Sequence, residues 1–154
     1  MPEPTSRDRK QLRPQKSVAG GRIDEPPRSR CGDPPPPELL RAVEQFDRGE
    51  YFEQHETLEH LWRATREPIR DLYHGILQIG VGLHHLRRRN FHGAGVLLEE
   101  GIERLRPFAP SCQTVDVAAL VRDATQARAA LLALGPDGLS RFDWSLAPRV
   151  RLVR

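Results

Sequence analysis

Hydrophobic residues recur at helical spacing along most of the chain from residue 38 onward. Apolar positions three and four residues apart define a face in each of five segments. The breaks between segments fall at residue types that begin or end helices: Gly49, Pro68, Gly93, Pro107 and Gly135. No segment alternates between polar and apolar residues as a half-buried strand would. The pattern predicts an all-α fold, a single bundle of about five helices.

The third predicted helix, Ile69 to about Asn90, is the most apolar of the five. It carries apolar residues on two sides, which is typical of the central helix of a bundle. Gly75 and Gly82 stand a heptad apart in it and lower its helix propensity. We therefore expect a neighbouring backbone to approach this helix closely at the two glycines.

Composition divides the chain into three parts. Residues 1–37 hold nine of the fourteen prolines and few large apolar residues, which favours a disordered, basic, proline-rich tail. Residues 38–135 form the predicted bundle. Residues 136–154 are irregular, and we expect them to pack on the bundle through three large side chains, Phe142, Trp144 and Leu146.

The charge balance argues against a nucleic-acid-binding domain. Residues 1–37 contain eight Lys+Arg and five Asp+Glu, a net charge of +3, which leaves sixteen of each sign and zero net charge for residues 38–154. The run Arg87–Arg89 falls in the last turn of the third predicted helix. Cations are favourable there because a helix carries negative partial charge at its C-terminus.

The cysteines, the absence of long apolar runs and the arginine content bear on where in the cell the protein is located. Cys31 and Cys112 show no ligand spacing and are predicted to form neither a disulfide framework nor a zinc motif, which favours a reducing compartment. No apolar run reaches the roughly 18 residues that span a membrane, and the N-terminus lacks the hydrophobic stretch of a secretory signal. Arginine outnumbers lysine by twenty-two to two, which we interpret as a GC-rich bacterial genome. We therefore expect a bacterial, cytoplasmic protein that contacts neither membrane nor nucleic acid.

The second predicted helix carries the main candidate chemistry. Phe52, Leu58 and Trp62 share one face, within an arc of roughly 120°. His55 and Glu59 lie inside the same arc, one turn apart. Because such a face is expected to be buried, we predict a structural network of the two ionisable groups. Backbone carbonyls or the indole N–H of Trp62 would complete it.

An alternative interpretation of this helix is a metal site. It begins like the zinc-protease helix His-Glu-x-x-His, in which two histidines bind the metal and the glutamate is the base. Glu59 stands where the second histidine would be, and a glutamate can ligate zinc. The alternative is thus a metal-dependent hydrolase with zinc held by His55, Glu59 and His74. Glu56 is then the catalytic candidate, beside a bound water. The preferred interpretation needs neither a metal nor another cofactor.

A second stripe of side chains lies on the third predicted helix: His74, Gln78, Val81 and His85. A partly exposed polar face is its ordinary interpretation. If the helix is central, however, that face must meet something, and a partner subunit is the alternative. Taken with the preferred network, the sequence favours a non-enzymatic helical module that acts through self-association or a protein partner.

A longer pattern includes most of these residues. It consists of Gly49-x-Tyr51-Phe52-x-x-His55-Glu56-x-x-Glu59-x-x-Trp62, Gly75-Ile76-x-Gln78, His85-Leu86-x-Arg88-x-Asn90, Gly93-Ala94 and Leu98-x-x-Gly101-x-x-x-Leu105. In order and spacing it resembles the uncharacterised helical family known as domain of unknown function 309. The resemblance implies a compact helical bundle found in bacteria and archaea, and it implies no established reaction. Gly80 and Gly82 stand where the family implies alanines, so we expect a looser third helix.

Overall fold

The computed structural model describes residues 23–153. Within that range five α-helices form one bundle: α1 Pro37–Asp47, α2 Tyr51–Ala64, α3 Arg70–Arg87, α4 Phe91–Leu105 and α5 Val117–Leu134. Between α4 and α5 two short strands, β1 Ser111–Cys112 and β2 Val115–Asp116, pair antiparallel. The predicted all-α bundle is confirmed. The sequence did not predict the sheet because a strand of two residues is too short to show an alternation of polar and apolar residues.

Helix α3 is the central helix, packed between α2 and α4. A Cβ atom added at Gly75 would lie 2.7 Å from Cδ2 of Leu105, and one at Gly101 would lie 3.0 Å from the carbonyl oxygen of Gly75. Real Cβ atoms almost never approach a neighbour so closely, so the absence of side chains lets the two backbones meet here. The predicted close approach to Gly75 is confirmed. At Gly82 the neighbour is Leu98, 3.0 Å from the added Cβ.

Part of the tail predicted to be disordered is held against the bundle. This N-terminal strap, residues 23–36, is joined by a disulfide from Cys31 to Cys112 in β1. The guanidinium of Arg28 also donates hydrogen bonds to the carbonyl oxygens of Phe108, at 2.7 Å, and Ala109, at 2.8 Å. The prediction of unpaired cysteines is therefore wrong, because two residues 81 positions apart leave no local signal of their contact. Residues 1–22 lie outside the described residues.

The disulfide also removes one argument about the compartment. Disulfides form and persist mainly in oxidising environments, so the cysteines no longer favour a reducing compartment. Among the helices of residues 23–153, none is long and apolar enough to cross a membrane.

A buried hydrogen-bond chain ties the strap to α3. The hydroxyl of Tyr73 donates to Oε1 of Gln113 at 2.7 Å, and the Gln113 amide nitrogen donates to the carbonyl oxygen of Arg30 at 3.3 Å. The backbone N–H of Gln113 donates to the carbonyl oxygen of Cys31 at 2.8 Å. Burial raises the pKa of Tyr73 to about 12, so the phenol stays protonated and continues to donate.

The segment after α5 crosses the bundle as irregular chain with two short 3-10 turns. Phe142 is buried as predicted, whereas Trp144 is 41% exposed and Leu146 is 38% exposed. The backbone N–H of Val150 donates to Oδ1 of Asp47 at the end of α1, at 2.8 Å. The segment is therefore anchored by Phe142 and by its backbone, and two of the three predicted side-chain contacts lie largely at the surface.

Candidate functional site

The buried face of α2 differs from the one that the hydrophobic pattern indicates. The buried residues are Tyr51, Gln54, Leu58 and Leu61, while Phe52 is 54% exposed. The amide nitrogen of Gln54 donates to the carbonyl oxygen of Leu77 in α3, at 3.3 Å. A Cβ atom at Gly80 would overlap the Gln54 side chain, so the glycine makes room for it and α3 is not loose there.

His55 and Glu59 are paired, but at the surface. Nε2 of His55 lies 3.7 Å from Oε1 of Glu59, and both side chains are 35% exposed. Oε2 of Glu59 accepts a hydrogen bond from Arg63 at 2.8 Å. Exposed ion pairs on one helix contribute about 0.3–0.5 kcal/mol each. The two groups therefore lie close together, but both side chains are only partly buried, and a structural role for the pair stays a prediction.

Trp62 meets His74 of α3 across the helix interface. The two ring centroids lie 4.7 Å apart with an interplanar angle of 36°, and Cζ of Arg70 lies 4.6 Å from the centroid of the Trp62 ring. The indole N–H of Trp62 is buried and has no acceptor among residues 23–153. Trp62 is thus partly buried and packed against the core, and its indole does not complete a His55–Glu59 network.

Protonation of His74 is disfavoured in this position. Burial, and after it the positive charges of Arg104 and Arg70, lower the pKa of His74 to about 3. The imidazole is therefore neutral at physiological pH.

We expect the low pKa of His74 to make stability fall in mild acid. In the unfolded chain His74 is protonated below its ordinary pKa of 6.5, whereas in the folded chain it stays neutral down to about pH 3. Folding stability therefore falls as pH drops through this window, by about 1–2 kcal/mol between pH 7 and pH 5. His74→Phe keeps a ring against Trp62 and cannot be protonated. Urea unfolding of both proteins at several pH values measures the difference.

The comparison isolates His74 because every other titratable group is shared by the two proteins. We expect the stability of the parent to fall more steeply than that of His74→Phe below pH 6.5. Parallel curves would show that the imidazole takes up its proton equally easily in the folded and unfolded chain.

The polar network that spans two helices is centred on Gln78. Its side-chain oxygen accepts from Nε of Arg104 at 2.9 Å, and its nitrogen donates to Oε1 of Glu100 at 3.1 Å. Nη1 of Arg104 also lies 3.5 Å from Oδ1 of Asp71. Gln78 is only 6% exposed, so these bonds satisfy a buried amide. Sequence reasoning named Gln78 but missed Glu100 and Arg104, whose i, i+4 spacing on α4 was the available signal.

Histidines and an exposed aromatic ring gather where α2 and α3 meet near the start of α2. The ring of Phe52 lies 6.2 Å from that of His55 and 6.4 Å from that of His84, and His84 lies 6.2 Å from His85. Nδ1 of His85 also lies 3.2 Å from the side-chain nitrogen of Asn90, the N-cap of α4. Burial, followed by the charges of neighbouring cations, lowers the pKa of His84.

The structure does not assemble the ligand set of the metal alternative. His55 and Glu59 lie together, but the ring of His74 stacks on Trp62 near the other end of α2. Glu56 lines a separate hollow with residues of α1, including Glu38 and Arg41. Among residues 23–153 no group of three or more histidine, cysteine or acidic side chains is placed to hold one metal ion.

Comparison with known proteins bears on one part of the chain. Residues 39–97 match the model of the family described as Domain of unknown function (DUF309). The match extends from α1 into α4 and includes Phe52, His55, Glu59 and Trp62. The resemblance inferred from the sequence is confirmed over these residues. No curated protein and no solved structure matches the chain.

Proposed function

We propose that this protein is a non-enzymatic helical module that self-associates through the surface between α2 and α3. We call this surface the histidine face and define it by six side chains: Phe52, His55, His74, Val81, His84 and His85. The observation that carries the proposal is the exposure of Phe52. At 54% it is the most exposed large hydrophobic side chain of the described residues, and histidines surround it.

The two helices give the histidine face its length. Phe52 meets His84 at one end and Trp62 meets His74 at the other. Phe52 and Trp62 are ten positions apart in α2, which corresponds to about 15 Å of helix. Aromatic rings are enriched in the cores of protein interfaces, where one apolar ring buries much area at low entropic cost. A face of this length supports a contact with another folded surface rather than with a small substrate.

A second copy of the chain is the occupant that the charges favour. Residues 38–154 carry zero net charge, so these parts of two copies approach without net repulsion. The edge of the face carries both signs, since Glu59 and Arg63 form an ion pair there. In a two-fold interface the same patch meets itself, so a surface that carries both charges can complement its own copy. The imidazole of His74, neutral at physiological pH, adds no charge to the surface that would be buried.

We expect the parent protein to sediment as a dimer and Phe52→Arg to sediment as a monomer of 17.5 kDa. The substitution places an unpaired charge inside the proposed contact, where burial without a partner is costly. Analytical ultracentrifugation over a range of concentrations measures the masses and the dissociation constant. We expect the dissociation constant of Phe52→Arg to rise at least about 100-fold, the effect of losing an aromatic interface anchor.

Leu132→Arg is the matched control. Leu132 is 42% exposed on α5, a helix that packs on α4 at the other side of the bundle. It receives the same charge at a similarly exposed apolar position, and its variant should keep the parent's dissociation constant. A monomeric parent at micromolar concentration would overturn the proposal. Equal weakening by the two variants would place the contact somewhere other than the histidine face.

A further inference from the structure

The N-terminal strap lies on the bundle without burying any residue of its own. Every residue from 23 to 36 is at least partly exposed. The guanidinium of Arg28 contacts the bundle by donating to three backbone carbonyl oxygens, those of Phe108, Ala109 and Ser111. Because the strap buries little apolar surface, the hydrophobic effect contributes little to its docking.

The balance of forces makes the disulfide decisive for docking. A hydrogen bond at the surface replaces one to water and contributes little net stability, whereas fixing the backbone of each strap residue carries an entropic cost. The bond from Cys31 to Cys112 lowers that cost, because it keeps the strap beside its docking surface at a high effective concentration. Without the bond, the polar contacts alone would have to offset the ordering of the whole segment.

The strap closes one side of a cavity next to Phe108. This cavity, which we call the Phe108 cavity, has a volume of about 430 Å³. Pro27 of the strap forms part of its wall, together with Phe108 and with side chains of α3 and α4 that include Asp71 and Glu100. Phe108 is only 1% exposed. Movement of the strap away from the bundle would remove Pro27 and open the cavity on that side.

Gln113, in the turn between β1 and β2, is bonded to the strap twice. Its side-chain nitrogen donates to the carbonyl oxygen of Arg30 at 3.3 Å, and its backbone N–H donates to that of Cys31 at 2.8 Å. Gln113 is 4% exposed. Both acceptors belong to the strap, so release of the strap would leave both donors to water. The backbone N–H of Gln113 is therefore a specific reporter of docking.

We propose that the Cys31–Cys112 disulfide is a redox switch, and that a dithiol that reduces it releases the strap from a bundle that stays folded. Release opens the Phe108 cavity. The two residues are the only cysteines of the chain, and neither lies in any of the five helices. Release withdraws no buried side chain of the strap from the core, since the strap has none.

The reduction is an ordinary thiol–disulfide exchange. Cys31 is partly exposed, whereas Cys112 is 1% exposed, so the incoming thiolate attacks Sγ of Cys31. Sγ of Cys112 leaves as a thiolate and takes up a proton. The second thiolate of the dithiol then displaces Sγ of Cys31, which also takes up a proton, and the dithiol closes its own disulfide. Two electrons and two protons pass from the dithiol to the protein.

Amide hydrogen exchange of the chain of residues 1–154, followed by NMR, tests the release. The reference is the backbone N–H of Asp116, which donates to the carbonyl oxygen of Arg151 at 2.8 Å and not to the strap. We expect dithiothreitol to raise the exchange rate of Gln113 relative to that of Asp116 by at least about 100-fold, because only the Gln113 acceptor leaves. A general loss of stability speeds both exchanges and cancels in the ratio.

Two variants separate the disulfide from the polar contacts. Cys31→Ser/Cys112→Ser should show the ratio of the reduced parent without dithiothreitol. Arg28→Ala is the matched control, because it removes the guanidinium contacts but keeps the disulfide, and its ratio should stay close to that of the oxidised parent. In the double variant a neutral soluble nitroxide should broaden the ring signals of Phe108, which stay sharp in the oxidised parent.

Several results would overturn the proposal. An unchanged exchange ratio in the reduced parent and in the double variant would show that the strap stays docked without the bond. An equal rise in Arg28→Ala would show that polar contacts, not the disulfide, hold the strap. Loss of all amide protection in α3 on reduction would show that the domain unfolds instead of releasing a segment. Sharp Phe108 signals in the double variant would show that the cavity stays closed.

Discussion

Reduction of the Cys31–Cys112 disulfide is expected to lower the free energy of unfolding by about 4 kcal/mol. The bond closes a loop between residues 81 positions apart. A cross-link over a loop of that length removes conformational entropy from the unfolded chain, and the corresponding stabilisation is about 4.5 kcal/mol in the chain-entropy model. Unfolding by guanidinium chloride with and without a reductant, followed by circular dichroism, measures the loss.

The double variant Cys31→Ser/Cys112→Ser controls for the reductant itself. It should unfold at the low midpoint of the reduced parent, and adding reductant should not move it. Arg28→Ala offers a second comparison, since it removes the guanidinium contacts to Phe108 and Ala109 but keeps the disulfide. Its cost should be about 1 kcal/mol, because these hydrogen bonds are largely exposed. A parent that is insensitive to reductant would show that the Cys31–Cys112 bond does not constrain the unfolded chain.

Gly75→Leu is expected to cost about 3 kcal/mol of stability by separating α3 from α4. An added Cβ would lie 2.7 Å from Leu105, and the rest of the new side chain has no space between the helices. Overpacking of a dense core typically costs about 1–3 kcal/mol. We place this substitution at the upper end because the opposing surface includes the backbone oxygen of Gly101, 3.4 Å from the added Cβ. Thermal and urea unfolding check the value.

Gly95→Ala distinguishes this packing cost from the general effect of replacing a helical glycine. Gly95 is a buried glycine of α4, but a Cβ there would lie 3.8 Å from Leu132, an ordinary contact distance. The alanine should stabilise the protein by up to about 1 kcal/mol through its better helix propensity. If Gly75→Leu is tolerated as well as Gly95→Ala, the close approach of α3 and α4 is not maintained in solution.

Helix α2 shows how far a hydrophobic pattern predicts a buried face. The existence of the helix follows from residues within one or two turns of each other, so the sequence predicts it well. The phase of its buried face depends on where α1 and α3 lie. The predicted face was centred on Phe52 and Trp62 because both are large and aromatic. In the fold Gln54 is buried instead, and its amide nitrogen donates to a carbonyl oxygen of α3. A buried side-chain amide whose nitrogen donates to a distant backbone carbonyl has no signature in a local pattern.

In the candidate site, too, the local pattern identified residues, while tertiary packing decided their partners. His74, Gln78 and His85 were identified from the sequence because they share one stripe of a helix whose other sides are apolar. The partners of Gln78 come from α4, and the rings around Phe52 come from two helices. Which pairs form was decided by the packing of α2, α3 and α4, since the same stripe could face any neighbour.

The sequence by itself determined the all-α class, the number and order of the helices, and the glycine contact of α3. The class, number and order of the helices depend on local helix preference, and the contact depends on glycine, which has no side chain. Only the tertiary structure decided that Cys31 meets Cys112, that Val150 meets Asp47 and that Arg87 lies between two rings. The first two contacts join residues 81 and 103 positions apart. Such contacts form because packed helices bring distant segments together, and no property of either segment alone specifies the other.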